Sequence, residues 1–156
     1  QTQVLAALFS PAFPIGAFSY SHGIEAAIAL GDVDDAATAH DWIETILLGG
    51  SGRNDAILMA NAYNAVKPHV AKDGQLAGGR NAEIEAINEL AFALSSGAER
   101  AQESRELGMN FTRMAEQVYQ LDIGLSPPLA YPVAAGLAAR HLGCELREQR
   151  PFHTHP

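Results

Sequence analysis

Four side chains that could do chemistry crowd into one short stretch: Ser19, Ser21, His22 and Glu25, with Tyr20 between the two serines. A serine beside a histidine invites a nucleophile-and-base reading, although such a pair also needs a group to orient the base. Ser19 as a helix N-cap is the simpler reading. His22 and Glu25 stand three apart, so on a helix they would share a face, either as a polar surface pair or as a contact for a partner. A second cluster, Glu99-Arg100 and Glu103-Ser104-Arg105-Glu106, reads mainly as surface pairing on a helix. Its arginines suit a carboxylate or phosphate on another molecule, and Arg100 and Ser104 are the residues singled out. His153-x-His155 could hold a transition metal, but no third ligand stands beside it. His40, His69 and His141 are isolated.

Other chemistries find no residues to carry them. There is no Gly-x-x-x-x-Gly-Lys-Ser/Thr phosphate loop, and Gly49, Gly50 and Gly52 follow a helical pattern, so they read as a helix break. No His-Glu-x-x-His is present. The net charge of −8, with Lys67 and Lys72 as the only lysines, argues against nucleic acid as a partner. Cys144 is the lone cysteine, which excludes an intrachain disulfide or a thiolate metal cluster. No apolar run is long enough to span a membrane, and the first residues lack a basic signal-peptide region, so the expected location is the cytoplasm.

These residues must be positioned by helices. The 156 residues suit one domain, and a 47% hydrophobic share with only 7% aromatics favours close helix packing. Pro11, Pro14 and Gly16 should shape an irregular turn, followed by a helix capped by Ser19 and stopped by Gly31, with Gly23 as a costly interior residue. A helix over about 35–48 presents Trp42, Ile43, Ile46 and Leu47, and the next resumes near Asn54. Residues 71–80 read as an exposed, cleavable loop before a helix over about 81–94. Ser96-x-x-Glu99 fits a capping box, and Gly108 suggests a pause in the helix it opens. After a loop holding Pro127-Pro128, Pro132 should start a small-residue helix over 133–142, more suited to the core than to a dimer face, closed by Gly143. The expected fold is all-α, a single-domain bundle of about seven or eight helices over 1–143, with 144–156 as a tail.

The run Ser10-Pro-Ala-Phe-Pro-Ile-Gly-Ala-Phe-Ser-Tyr-Ser-His-Gly-Ile-Glu25 closely resembles the signature of the urease accessory protein UreF family. Gly31-Asp-Val with Trp42, Arg53-Asn-Asp55, Glu99-Arg100 through Gly108, and Tyr131 to Gly143 resemble later family segments in the same order, while the likeness fades beyond Gly143. The resemblance implies an all-helical, non-enzymatic maturation factor. It would form a homodimer, bind UreD (also called UreH), recruit or regulate the GTPase UreG, and serve nickel delivery to apo-urease. Nickel and GTP would be handled by the partner complex, with no cofactor held by this chain. The expected partner-binding residues are Pro14, Gly16, Ser19, Tyr20, His22, Glu25, Arg100 and Ser104, none of them catalytic. The alternatives are a helical serine hydrolase using Ser19 or Ser21 with His22, and a direct nickel carrier using His153, His155 and His22.

Overall fold

Small residues set the architecture. In the computed structural model, which describes residues 2–66, 79–121, 123 and 128–144, every residue from 132 to 139 is buried in one short helix. This helix, α7 (Tyr131–His141), lies chiefly between α4 (Ser51–Ala65) and α6 (Ala98–Tyr119) and also touches α5 (Gly79–Ala93). Pro132 sits in its first turn, where a missing N–H costs nothing. Gly136 lets the backbone of α4 come close: a Cβ there would drive into the Met59 carbonyl oxygen and lie 3.1 Å from Tyr63 N. Four further elements complete the described fold: α1 (Thr2–Leu8), a 3₁₀ turn (Ala17–Ser19), α2 (Ile24–Leu30) and α3 (Ala36–Leu48). The described residues are all helical or irregular, with no strand among them, as the composition and periodicity predict.

The core centres on Phe111 of α6. Its ring meets Phe13 at 5.5 Å and Tyr131 edge-on at 5.6 Å between centroids, so the early turn and α7 are both tied to α6 through one side chain. Asn88 of α5 clamps the chain entering α7, donating to Pro128 O (3.1 Å) and accepting from Ala130 N (2.8 Å). Past α7, Arg140 donates to Val66 O and to the Tyr63 hydroxyl, and Tyr63 in turn donates to Cys144 O. Cys144 is therefore core, not tail, and burial pushes its thiol pKa up.

Several local expectations are corrected. Gly108 does not interrupt α6, which runs unbroken from Ala98 to Tyr119. Its role is close approach, since Leu129 O and Tyr131 N occupy the space a Cβ would need. Ser96 does not cap α6: Gly97 holds the N-cap position in extended conformation and no side chain caps the helix. The second helix starts at Ile24, not after Ser19, which ends the 3₁₀ turn instead. Gly23 is its N-cap at φ +81°, a left-handed backbone that suits glycine, so it carries no interior penalty. Helix α4 begins at Ser51, earlier than Asn54. Helix α3 packs on α4 and meets Gly23 through Trp42, yet it buries no residue fully and leaves Ile43 and Leu47 exposed. The loop expected over 71–80 lies outside the described residues except for its last two, which already belong to α5.

Asp35 does begin α3, through a reciprocal cap: its carboxylate accepts from Thr38 N at 2.8 Å while its own N–H donates to Thr38 Oγ1 at 3.1 Å. The bond from Thr38 N foremost, and then one from the Thr38 hydroxyl to the same carboxylate at 2.9 Å, hold its pKa below the usual carboxylate value. A lowered folded pKa stabilises the fold above the ordinary value and loses that effect as pH falls through the folded value. Asp35→Ala should therefore lower the thermal midpoint near pH ~7, and the gap to the parent should close in strong acid. Thermal scans of both proteins across that range check this; a gap independent of pH would contradict it.

Candidate partner-docking site

The 10–23 turn is built to stand firm while remaining exposed. Ser10 turns the chain by accepting from Ala12 N on its side chain and from Phe13 N on its carbonyl. Ile15 is the buried anchor, and Gly16, at φ +85°, supplies the left-handed step into the 3₁₀ turn. From there the turn runs antiparallel to α6 and meets it at three levels, hydrogen-bonded at the first two and only approaching at the third. Asn110 donates to Ile15 O at 3.1 Å, the Tyr20 hydroxyl donates to Glu106 Oε2 at 2.7 Å, and His22 Nε2 stands 3.7 Å from Glu103 Oε1. Positions 103, 106 and 110 share one face of a helix, which is why one segment running along it can meet all three. Gln102 donates to the other oxygen of Glu106 at 2.6 Å. The bond from Tyr20 lowers the Glu106 pKa and raises that of the phenol, as expected when a carboxylate accepts from a hydroxyl.

Beneath the turn lies an ionic cluster joining α4 to α6. Arg100 reaches Asp55 Oδ2 at 2.6 Å through one terminal nitrogen and Glu103 Oε2 at 3.0 Å through the other. Burial pushes the Asp55 carboxyl pKa up, and the Arg100 charge pulls it back only in part. Ser104, also buried, accepts from Tyr131 N at 3.2 Å and so ties α6 to the start of α7. Burial and the nearby Asp55 charge raise the Tyr131 pKa. An open cleft of about 890 Å³ separates residues 19–23 from the first turns of α6, with Glu103 in its wall.

The eight residues singled out in the sequence thus divide. Pro14, Ser19, His22 and Glu25 are exposed, and Tyr20 and Gly16 are half-buried on the same turn. Arg100 and Ser104 lie behind that surface, engaged with Asp55, Glu103 and Tyr131. The reading of 99–106 as surface pairing is corrected for Arg100, Glu103 and Ser104, because α6 turns that face toward α7 and Arg100 reaches Asp55 of α4. The shared helix face of His22 and Glu25 is corrected too: His22 precedes α2, with φ +51°, and faces Glu103. Asp55, Glu103 and Glu106 were not singled out as site residues. The i,i+3 spacing of Arg100 and Glu103 was their one local signal, whereas the Asp55 contact spans 45 positions.

Among the described residues no hydrogen bond joins Ser19 or Ser21 to His22, so the nucleophile–base contact of a hydrolase is not formed. His153 and His155 lie outside the described residues. His40, Asp41 and Glu44 form a possible metal-ligand group among the described residues, and all three are exposed. No described helix is long and apolar enough to cross a membrane.

Comparison with known proteins converges on one family. The family model described as UreF matches residues 33–153, past the Gly143 at which the likeness was expected to fade. The urease accessory protein UreF of Ruegeria pomeroyi is 38% identical over 155 residues, covering 99% of this chain and 64% of that protein. That alignment takes in the 10–25 turn, which precedes the family-model match. The UreF of Roseobacter denitrificans is 38% identical over 146 residues, covering 94% of this chain and 58% of its own length. One from Cereibacter sphaeroides is 44% identical over 146 residues, covering 94% and 60%. The chain spans roughly 58–64% of the length of these curated relatives.

Proposed function

Because this chain belongs to the UreF family of urease accessory proteins, which support urease maturation and are not themselves enzymes, we propose that it works there as an adaptor in the cytoplasm. It binds UreD (UreH) and recruits or regulates the GTPase UreG, as a homodimer, while apo-urease receives its nickel. Nickel and GTP belong to the partner complex in this reading. The sequence holds no phosphate loop, in keeping with nucleotide chemistry done elsewhere.

The observation that carries the reading is the turn hydrogen-bonded to α6 at Ile15 and Tyr20. Segments that hold polar and aromatic groups exposed on a rigid frame lose little entropy on binding, so they suit docking. Pro14, Gly16 and Ser19 shape the turn, and Tyr20, His22 and Glu25 are the groups it presents. Arg100 and Ser104 act from behind, by fixing the position of α6 under it. The exposed Ile28, Leu30, Ile43 and Leu47 of α2 and α3 offer further apolar area for self-association or partner contact.

Capture of UreD and UreG on immobilised chain tests this. Glu25→Lys, a charge reversal at an exposed residue that takes no part in holding the turn on α6, should weaken capture of at least one of them by about tenfold. The thermal midpoint of that variant should stay within a few degrees of the parent. Undiminished capture of both partners would place the docking surface elsewhere.

A further inference from the structure

Glu103 is used on one side only. Its Oε2 pairs with Arg100 at 3.0 Å, but Oε1 has no hydrogen-bond partner although the side chain is only 8% exposed. A buried carboxylate oxygen left without a donor is costly, and native folds rarely keep one without use. His22 is the group nearest to supplying a donor, yet its Nε2 stands 3.7 Å away, beyond hydrogen-bond range. That imidazole is 44% exposed, sits on a left-handed backbone at a non-glycine residue, and approaches Oε1 without bonding to it. Glu103 and His22 both face the cleft between the turn and α6.

The walls of that cleft indicate what it would take. Glu99, Gln102 and the hydroxyls of Ser19 and Ser21 add acceptors around Glu103. Arg100 contributes one positive charge, but Asp55 and Glu103 Oε2 already share it, which leaves the cleft with an excess of carboxylate. Tyr20 offers an aromatic ring at the rim. A planar cation with several donors fits such a set better than a point charge, since it can meet more than one acceptor and stack on a ring. We propose that this cleft receives an arginine side chain from a protein partner, whose guanidinium displaces the His22 imidazole and pairs with Glu103 Oε1. The proposal rests on the reading of the 14–25 turn as a docking surface and assigns the chemistry of one contact there.

The test needs no accessory protein. The full chain is titrated with acetyl-Gly-Arg-Gly-amide and with the citrulline and lysine counterparts, and amide shifts are mapped by ¹H–¹⁵N correlation spectra. The arginine peptide should give saturable shifts over residues 19–23 and 99–106. Citrulline, equal in shape but uncharged, should give none at the same concentrations, and lysine should bind more weakly than arginine. Glu103→Gln should raise the dissociation constant about tenfold or more. His22→Gly, which removes the imidazole and suits the left-handed backbone, should lower it about threefold. Equal response to arginine and citrulline, shifts centred elsewhere, or unchanged affinity in Glu103→Gln would overturn the proposal. If Glu103→Gln does not fold, His22→Gly decides, and affinity that fails to rise overturns it. Captured UreD or UreG with no arginine response would reject this contact and leave the adaptor reading standing, while the reverse would reject the adaptor reading.

Discussion

Arg100→Met is expected to destabilise the chain by about 2–4 kcal/mol, because it strands the buried Glu103 and the half-buried Asp55, which share one guanidinium. Asp55 and Glu103 belong to different helices, and Arg100 is the cation that reconciles them, at 2.6 and 3.0 Å. Arg100→Lys should recover only part of the loss, since a single ammonium cannot reach both carboxylates from two separate nitrogens. The deficit should depend on pH with a definite sign. Burial already raises the folded pKa of Asp55 above its usual 3.8, and loss of the arginine raises it further. A raised folded pKa means that the native state holds the proton more tightly, so stability falls as pH climbs through the window between the two values. The Arg100→Met deficit should therefore be largest near neutrality and shrink toward the ordinary carboxylate range. Urea denaturation at several pH values measures it; a deficit below about 1 kcal/mol at neutral pH would mean the cluster is solvated and contributes little.

Gly108→Ala should cost about 3 kcal/mol, a large effect for one methyl group. The atoms it would meet are backbone, Leu129 O and Tyr131 N, so no side chain can rotate away and α6 must separate from the start of α7. That separation would also stretch the Ser104–Tyr131 hydrogen bond and loosen Phe111 from Tyr131. Gly97→Ser is the contrasting substitution. Nothing lies within 4 Å of a Cβ there, and a hydroxyl at that uncapped N-terminus could accept a backbone N–H. It should raise stability by a few tenths of a kcal/mol, roughly the N-cap preference of serine over glycine. Chemical denaturation of both variants checks the pair. If Gly108→Ala is as mild as Gly97→Ser, the close packing of α6 on the 129–131 backbone is wrong.

These two residues also mark where reading the sequence stops working. Gly108 was legible as unusual, but helix propensity interprets a glycine by its own backbone, and the reason for it lies 21 positions away at Leu129. Arg100 and Glu103 were legible as a helical pair, but periodicity cannot tell which face a neighbouring helix will cover, and the reach of Arg100 to Asp55 on α4 spans 45 positions. The helix start after Ser19 was misplaced because His22 and Gly23 are both left-handed, which delays the helix to Ile24. Ser96 matched a capping pattern, yet the extended Gly97 takes the N-cap position. Features set by local chemistry were read well: Gly31 after α2 and Pro132 opening α7. The shape of the 10–23 turn was legible from Pro11, Pro14 and Gly16, whereas its meetings with α6 were not, because each joins residues more than 80 positions apart.

The proposed role as an adaptor is tested most directly by the mass of what the purified chain forms with UreD and UreG, measured by light scattering on a sizing column. The account predicts that the chain leaves its own elution position and appears in one species with UreD, which then gains mass when UreG is added. A folded chain that elutes at its own mass in the presence of both proteins would contradict it.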